Sequence, residues 1–336
     1  MATRVRSYSK INLGLAVGPP RPDGFHGLTT VYQTLALHDF VTVSAQRAAE
    51  TSITLTADHP GVPCTARGNA EKNTAWRIVA GALKRLRLAA NVSVGIEKRL
   101  PVQGGMGAGS ANAAAALLGL ERELGVSLPE DEKLELAAEI GSDVPLFILG
   151  GTVLGLGRGE QVSRLGNMPA KPVVIAIPEV GVSTAAAFKE LDKRPQSLTF
   201  QQGTDRLEML SRALAAIWAI GIQSSAEHDS SGIASRSGDL AEDQLLALVR
   251  TGIENDFEEV VFSQHPSLRQ IKRELEVSET GKPLCAGLSG SGSALFGLYE
   301  SQSDARAAQQ RVQQSGTRAI LTETLPRDLY WSNMFL

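Results

Sequence analysis

The chain has 336 residues, of which 43% are apolar and 21% charged, and a formal net charge of −3. That is enough chain for two domains with a sizeable core, and the near-neutral balance supplies no basic field for nucleic acid or an anionic membrane surface. No stretch reaches the about 18 apolar residues that span a bilayer, and two cysteines are too few for a disulfide framework. The basic N-terminus lacks an uninterrupted apolar core and a cleavage site, so it does not read as a signal peptide. Cys64 and Cys285 then read as buried small hydrophobes of a reducing, cytoplasmic compartment.

Alternation over residues 4–17 predicts a strand, ended by the turn cluster PPRPDG. Further strands are predicted at 28–37, 39–45 and 51–56. Asn73 stands where it would cap a helix, because Ala75, Ile78, Val79, Ala82, Leu83 and Leu86 keep helical spacing. A strand at 92–96 leads into the glycine run PVQGGMGAGS and an alanine-rich helix opening at Ser110. Another helix is predicted over 129–140, with Pro129, Glu130 and Asp131 at its start. After GSDVPLFILGG come strands near 152–156 and 173–177, then helices near 184–191, 205–220, 240–251 and 265–276. Two strands at 284–288 and 294–299 flank a glycine turn, and a helix and strand fill 303–323. Strands dominate the first half and helices much of the second, which predicts an α+β protein with a boundary near 165–172. The polar, Ser/Gly-rich, aperiodic segment 223–239 reads as a mobile surface insertion.

Gly104, Gly105, Gly107 and Gly109 leave the backbone nearly bare, so an anion can approach several N–H groups at once. The helix behind them adds unpaired N–H donors and the positive end of its dipole. Strand, glycine loop and helix N-terminus in that order point to phosphate; a Gly/Ala segment for close helix packing is the alternative. Ser110 fits neither the third glycine of a dinucleotide-binding loop nor the lysine of a P-loop. No DFG or HRD triplet marks a protein kinase. The cation for a bound phosphate must then come from elsewhere. Lys10, in SYSKINLGL, is a candidate, against the alternative of a solvated surface lysine. Asp143 precedes an apolar run, where it either caps a helix or accepts a hydroxyl proton as a general base. GLSGSGSALF is either a plain hairpin or a second phosphate clamp. The histidines show no paired metal-ligand spacing.

Taken together, these motifs resemble the GHMP kinase superfamily over nearly the whole chain. PVQGGMGAGSANAAAAL is similar to its phosphate-loop motif and GLSGSGSALF to its C-terminal glycine motif. SKINLGL, RPDGFHGLTTVYQTLALHD, GSDVPLFILGGTVLGLGRGE and ENDFEEVVFSQHP follow the order of a branch with a small-molecule substrate, a cytidine diphosphate-linked methylerythritol. The resemblance implies an N-terminal domain over 1–165, like domain 2 of ribosomal protein S5. It implies a ferredoxin-like C-terminal domain over 166–336, with the active site in the cleft between them. The implied reaction is ATP-dependent phosphorylation of the tertiary C2 hydroxyl, with ATP and Mg²⁺ as cofactors. Lys10 and Asp143 match the family's catalytic pair. Pro101, Val102, Gln103, Gly104, Gly105, Met106, Gly107, Ala108, Gly109, Ser110 and Ala111 would wrap the ATP phosphates. The Ser110 hydroxyl is the one metal contact suggested, with no Mg²⁺ carboxylate evident. Asn12, Phe25 and His26 would bind the substrate, Phe25 by stacking on cytosine and His26 by reading its polar edge. Phe25 replaces the tyrosine usual there, Gly27 stands where an acid is common, and Ala111 replaces a second serine. A monomer or weak homodimer is expected. Two alternatives stay open: a GHMP kinase for another alcohol, such as homoserine or mevalonate, and a catalytically silent nucleotide sensor of the same fold.

Overall fold

The computed structural model describes residues 2–21, 24–102, 104–193, 254–277 and 283–336. The helices predicted at 205–220 and 240–251, the segment 223–239 and Gln103 lie outside the described residues.

Two long antiparallel strands, β1 (Thr3–Pro20) and β2 (His26–Arg47), form the base of the first sheet. The two strands predicted at 28–37 and 39–45 are thus one. β2 runs on through His38, although its register against β1 shifts between Thr34 and His38; the His38 ring packs edge-on against Tyr8 and Phe40. β3 (Ser52–Ala57) runs parallel to β4 (Ala90–Glu97), which pairs with the second half of β2. β5 (Thr152–Leu156) pairs with the first half of β2, and β6 (Gln161–Arg164) closes that edge. The order is β3-β4-β2-β5-β6, with β1 on β2. β6 escapes the sequence because QVSR is short and polar, with no apolar alternation.

Four helices come from the same half: α1 (Thr74–Leu86), α2 (Ala108–Leu124), α3 (Glu130–Ile140) and α4 (Val144–Leu149). Asn73 caps α1 as expected, its side chain accepting from the Ala75 N–H. Ile78, Leu117, Leu136 and Phe147 from these helices share one core with Val41, Val43 and Val94 of the sheet. Small side chains let α2 lie close to the strands: a Cβ on Gly119 would stand 2.7 Å from Val43. The close-packing reading of the alanine run therefore holds for the body of α2, while the loop before it faces other partners.

The second sheet contains β7 (Pro172–Ile177), β8 (Cys285–Leu288), β9 (Leu295–Leu298) and β10 (Arg318–Glu323), in the antiparallel order β10-β7-β9-β8. α5 (Thr184–Asp192), α6 (Phe257–Gln264), α7 (Pro266–Glu276) and α8 (Gln302–Gln314) pack with it. A further apolar cluster lies between the sheets, joining Ile11, Val31 and Leu35 to Val173, Ile175 and Phe296. Met106, 1% exposed, is part of it. Burying such a side chain contributes roughly 1.5–3 kcal/mol, so the glycine run is anchored by its only long apolar residue between Gly105 and Gly107. The last helix, α9 (Arg327–Ser332), returns to the first core through Tyr330. Both cysteines are unpaired, Cys64 buried and Cys285 partly so. Among the described residues no helix is long and apolar enough to cross a membrane.

Candidate active site

The β1–β2 register shifts between Tyr8 and Lys10 and again between Asn12 and Gly14. Such irregularities re-aim side chains, and here they bracket Lys10 and Asn12. The Lys10 N–H donates to the Met106 carbonyl at 3.1 Å, joining β1 to the glycine run. Lys10 is only 3% exposed, so it is not a solvated surface lysine. Its ammonium lies 2.6 Å from Asn12 Oδ1 and 3.4 Å from Asp143 Oδ2. Asn12 donates in turn to Thr30 Oγ1 at 2.7 Å, which leaves its side chain held on both sides.

Asp143 occupies the N-cap position of α4, yet its side chain makes no capping hydrogen bond. Its carboxylate turns to Lys10 instead, and its other oxygen accepts from the Tyr32 hydroxyl at 3.0 Å. At 31% exposure it remains open to an incoming molecule. Tyr32, 2% exposed, is pushed well above the usual tyrosine range, first by burial and then by the Asp143 charge beside it.

α2 begins at Ala108, two residues before the predicted opening at Ser110. Gly107 is its N-cap and supplies no side chain, so the first-turn N–H groups at Ala108, Gly109 and Ser110 are uncapped. They line a cleft of about 370 Å³, whose other walls include Val62, Thr74 and Pro101. Gly105 and Gly107 have positive φ, +73° and +70°. A Cβ on Gly105 would stand 2.1 Å from the Ser289 carbonyl oxygen, and one on Gly107 would stand 2.9 Å from Phe147 and 3.1 Å from Lys10. These two glycines therefore make room for protein neighbours. Gly109 is less crowded, a Cβ there meeting only the Thr74 hydroxyl at an ordinary 3.7 Å.

Of its two sequence alternatives, the second glycine segment shows the hairpin. Leu288 and Leu295 pair as a hairpin. Its loop also meets the first: Ser289 Oγ donates to the Gly105 carbonyl at 3.0 Å, and a Cβ on Gly290 would stand 3.5 Å from the Lys10 ammonium. Asn255, from the ENDF motif, donates to the carbonyls of Leu288 and Gly290, at 2.8 and 2.7 Å. The sequence motif contains this residue but does not disclose its clamp. Asp39 is a second anchor not foreseen. Fully buried, it accepts from the N–H groups of Arg99 and Leu100 at 2.7 Å each and pairs with Lys98, fixing the approach to Pro101.

Phe25 and His26 sit apart from the Lys10–Asp143 pair, at the start of β2. Phe25 is 51% exposed, with the Arg158 guanidinium 4.9 Å from its ring centroid. His26 is buried and stacks on Phe188 at 4.9 Å. Its Nδ1 faces the Gly18 carbonyl at 3.0 Å and its Nε2 faces Asp192 at 3.2 Å, so both ring nitrogens already have protein partners. Among the described residues no three His, Cys, Asp or Glu side chains gather as a metal site.

The family profile "GHMP kinases N terminal domain" matches residues 73–151, and "GHMP kinases C terminal" matches 239–318. A 4-diphosphocytidyl-2-C-methyl-D-erythritol kinase of Nocardia farcinica is 36% identical over 326 residues, covering 96% of this chain and 93% of the relative. Relatives from Solibacter usitatus and Caldicellulosiruptor saccharolyticus carry the same name. A crystal structure of 4-(cytidine 5'-diphospho)-2C-methyl-D-erythritol kinase superposes with TM-score 0.64 at 24% identity, over 96% of this chain and 98% of that one. A homoserine kinase from Cytophaga hutchinsonii superposes with TM-score 0.67 at 18% identity, over 97% and 95%. Backbone similarity at this level shows the fold and does not distinguish the acceptors.

Proposed function

This chain belongs to the 4-diphosphocytidyl-2-C-methyl-D-erythritol kinase family of GHMP kinases, and on that footing we propose how its residues divide the work. The enzyme transfers a phosphoryl group from ATP to the 2-hydroxyl of 4-diphosphocytidyl-2-C-methyl-D-erythritol, in non-mevalonate isoprenoid precursor biosynthesis. The observation that carries the proposal is the Lys10–Asp143 pair at 3.4 Å, on the α2 side of the second glycine loop.

Asp143 takes the proton from the acceptor hydroxyl. Lys10, beside that carboxylate, faces the charge that builds on the transferred group. Because the transition state of phosphoryl transfer is loose, positioning and electrostatics supply most of the rate. The uncapped N–H groups of Ala108, Gly109 and Ser110 are the proposed phosphate donors, with Gly104, Gly105, Met106, Gly107 and Ala111 giving the cradle its shape. Pro101 and Val102 would form its rim, and Gln103 is included by sequence resemblance.

Mg²⁺ belongs to the proposal. Mg²⁺ takes one or two protein ligands and its remaining ligands from phosphates and water. The Ser110 hydroxyl, 4.0 Å from the Cβ position of Gly141 on the Asp143 turn, would be its protein ligand. When bound there, the ion neutralises charge on the nucleotide phosphates.

Phe25, half exposed beside Arg158, would stack on cytosine. His26 would read the base only once Asp192 yields its Nε2, and Asn12 would steer the acceptor end beside Lys10. The change of sheet between Arg164 and Pro172 supports domains at 1–165 and 166–336, although α9 packs back onto the first core. Unpaired cysteines support a cytoplasmic setting. Among the described residues the exposed large apolar side chains, Phe25, Val102, Val277, Leu329 and Leu336, fall on separate segments, which supports a monomer or weak homodimer.

Homoserine and mevalonate kinases share the fold at low identity, and retention of both Lys10 and Asp143 speaks against a silent sensor. A coupled ADP-release screen tests all three readings. The cytidyl substrate should turn over while homoserine and mevalonate do not; turnover of homoserine alone, or of nothing, would overturn the assignment.

A further inference from the structure

Asp143 is held at two points, and only one of them is the lysine. Tyr32 stands opposite Asn12 on β1 and opposite Val153 on β5, in the middle of the first sheet. Its hydroxyl reaches Asp143 Oδ1 at 3.0 Å while Lys10 holds Oδ2 at 3.4 Å. A buried tyrosine could be there for its ring alone. The β5–β6 turn argues otherwise. A Cβ on Gly159 would lie 2.4 Å from the Tyr32 hydroxyl oxygen, whereas the nearest ring carbon, Cζ, would be 3.6 Å away. Gly159 makes room for the oxygen and not for the ring. Gly155 does the corresponding service for the ring itself, with a Cβ position 2.5 Å from Cε2.

We propose that the Tyr32 hydroxyl is a positioning residue for the reaction: it fixes the plane of the Asp143 carboxylate so that a lone pair faces the acceptor hydroxyl. This rests on the reading of Asp143 as the base. Asp143 stands before the six-residue α4 and does not cap it, so no backbone bond restrains its side chain. With Lys10 as the only tether, the carboxylate could pivot about one oxygen. A misplacement of about 1 Å can cost on the order of 10²-fold in rate. Tyr32 is suited to be a permanent donor. Burial and the Asp143 and Glu160 charges all disfavour its phenolate. The arrangement also makes the β5–β6 turn part of the site: Arg158 reaches Phe25 at the substrate end, while the next residue, Gly159, abuts the hydroxyl that holds the base.

Tyr32→Phe keeps the ring and removes the tether. With ATP and the cytidyl substrate, kcat should fall about 10–100-fold, while KM for ATP stays as in the parent. Gly159→Ala should lower kcat in the parent by displacing the hydroxyl, yet add little in the Tyr32→Phe background, where the colliding oxygen is gone. Backbone strain at Gly159, φ +101°, is common to both arms and cancels in the cycle. A parental kcat for Tyr32→Phe, or an equal Gly159→Ala factor in both backgrounds, would overturn the proposal. A substrate-free arm separates this from the activity itself. In urea unfolding, Tyr32→Phe and Asp143→Ala should be non-additive by about tenfold in the unfolding constant. Additive effects would overturn the hydroxyl–carboxylate link even if the cytidyl substrate turned over. A parent that fails to phosphorylate that substrate would refute the assigned reaction, with the unfolding cycle still deciding the role of Tyr32.

Discussion

Asp143 serves no structural purpose at its N-cap position, since α4 starts without a side-chain cap. Its carboxylate is engaged by Lys10 and Tyr32 instead, and it is the base we propose. Asp143→Asn should lower kcat by about 10²–10⁴-fold, the range for general acid–base catalysis, with KM for ATP nearly unchanged; steady-state kinetics check this, and a parental kcat would remove Asp143 from the mechanism. His38 offers a test of stability. Burial, the largest influence, lowers its pKa below the usual histidine value, against a raising hydrogen bond to the Ala36 carbonyl. A depressed folded value means that the proton binds the unfolded chain more readily. The contribution is therefore whole above about pH 6.5 and is lost as pH falls through the lower folded value. Urea unfolding between pH 7.5 and 5 should show a steeper loss for the parent than for His38→Gln. Of these residues, Lys10 and Asp143 were legible from the chain as candidates, because motif order names them. Tyr32 was not, since in its strand it reads as one more large apolar residue.

The glycine run was read as a place where an anion meets bare backbone. The structure divides that task. Gly105 and Gly107 admit Ser289, Phe147 and Lys10, whereas a Cβ on Gly109 would meet only the Thr74 hydroxyl, at an ordinary 3.7 Å. Spacing cannot reveal this, because the neighbours come from segments far away in sequence. The division has a measurable consequence. Gly105→Ala forces a Cβ against a backbone oxygen at positive φ and should destabilise the fold by roughly 1–3 kcal/mol or more. Gly109→Ala, in the first turn of α2 with no such contact, should leave thermal unfolding unchanged or slightly raised, and any loss should appear in KM for ATP. Equal melting temperatures for the two variants would contradict this division. Strands and helices with strong periodicity, such as β1, β4 and α1, were placed closely from sequence. β6 was missed for want of apolar residues. α6 lies outside the predicted helices although Phe257, Val260, Val261 and Phe262 keep helical spacing.

Two sheets meet at an apolar seam, and the proposed site lies beside the contact of the two glycine segments. The α+β class and the two sheet-bearing halves were legible from the balance of strands and helices. The return of α9 was not, because a six-residue helix at the end of a chain carries little periodicity. That return bears on the site. Tyr330 donates to the Phe147 carbonyl at 2.7 Å, Trp331 donates to the Leu149 carbonyl at 3.1 Å, and Gly150 leaves room for the Tyr330 ring. Both bonds brace α4, at whose start Asp143 stands. Tyr330→Ala should cost about 3–5 kcal/mol in urea unfolding, and in the folded fraction kcat should fall more than KM. Loss of stability with an untouched kcat would confine α9 to the core. The most direct measurement is of the product. Purified protein, ATP, Mg²⁺ and 4-diphosphocytidyl-2-C-methyl-D-erythritol should give, by mass spectrometry and phosphorus NMR, one added phosphate on the C2 oxygen with one ADP formed for each. ADP formation without a phosphorylated cytidyl product, or phosphate on another oxygen, would contradict the account.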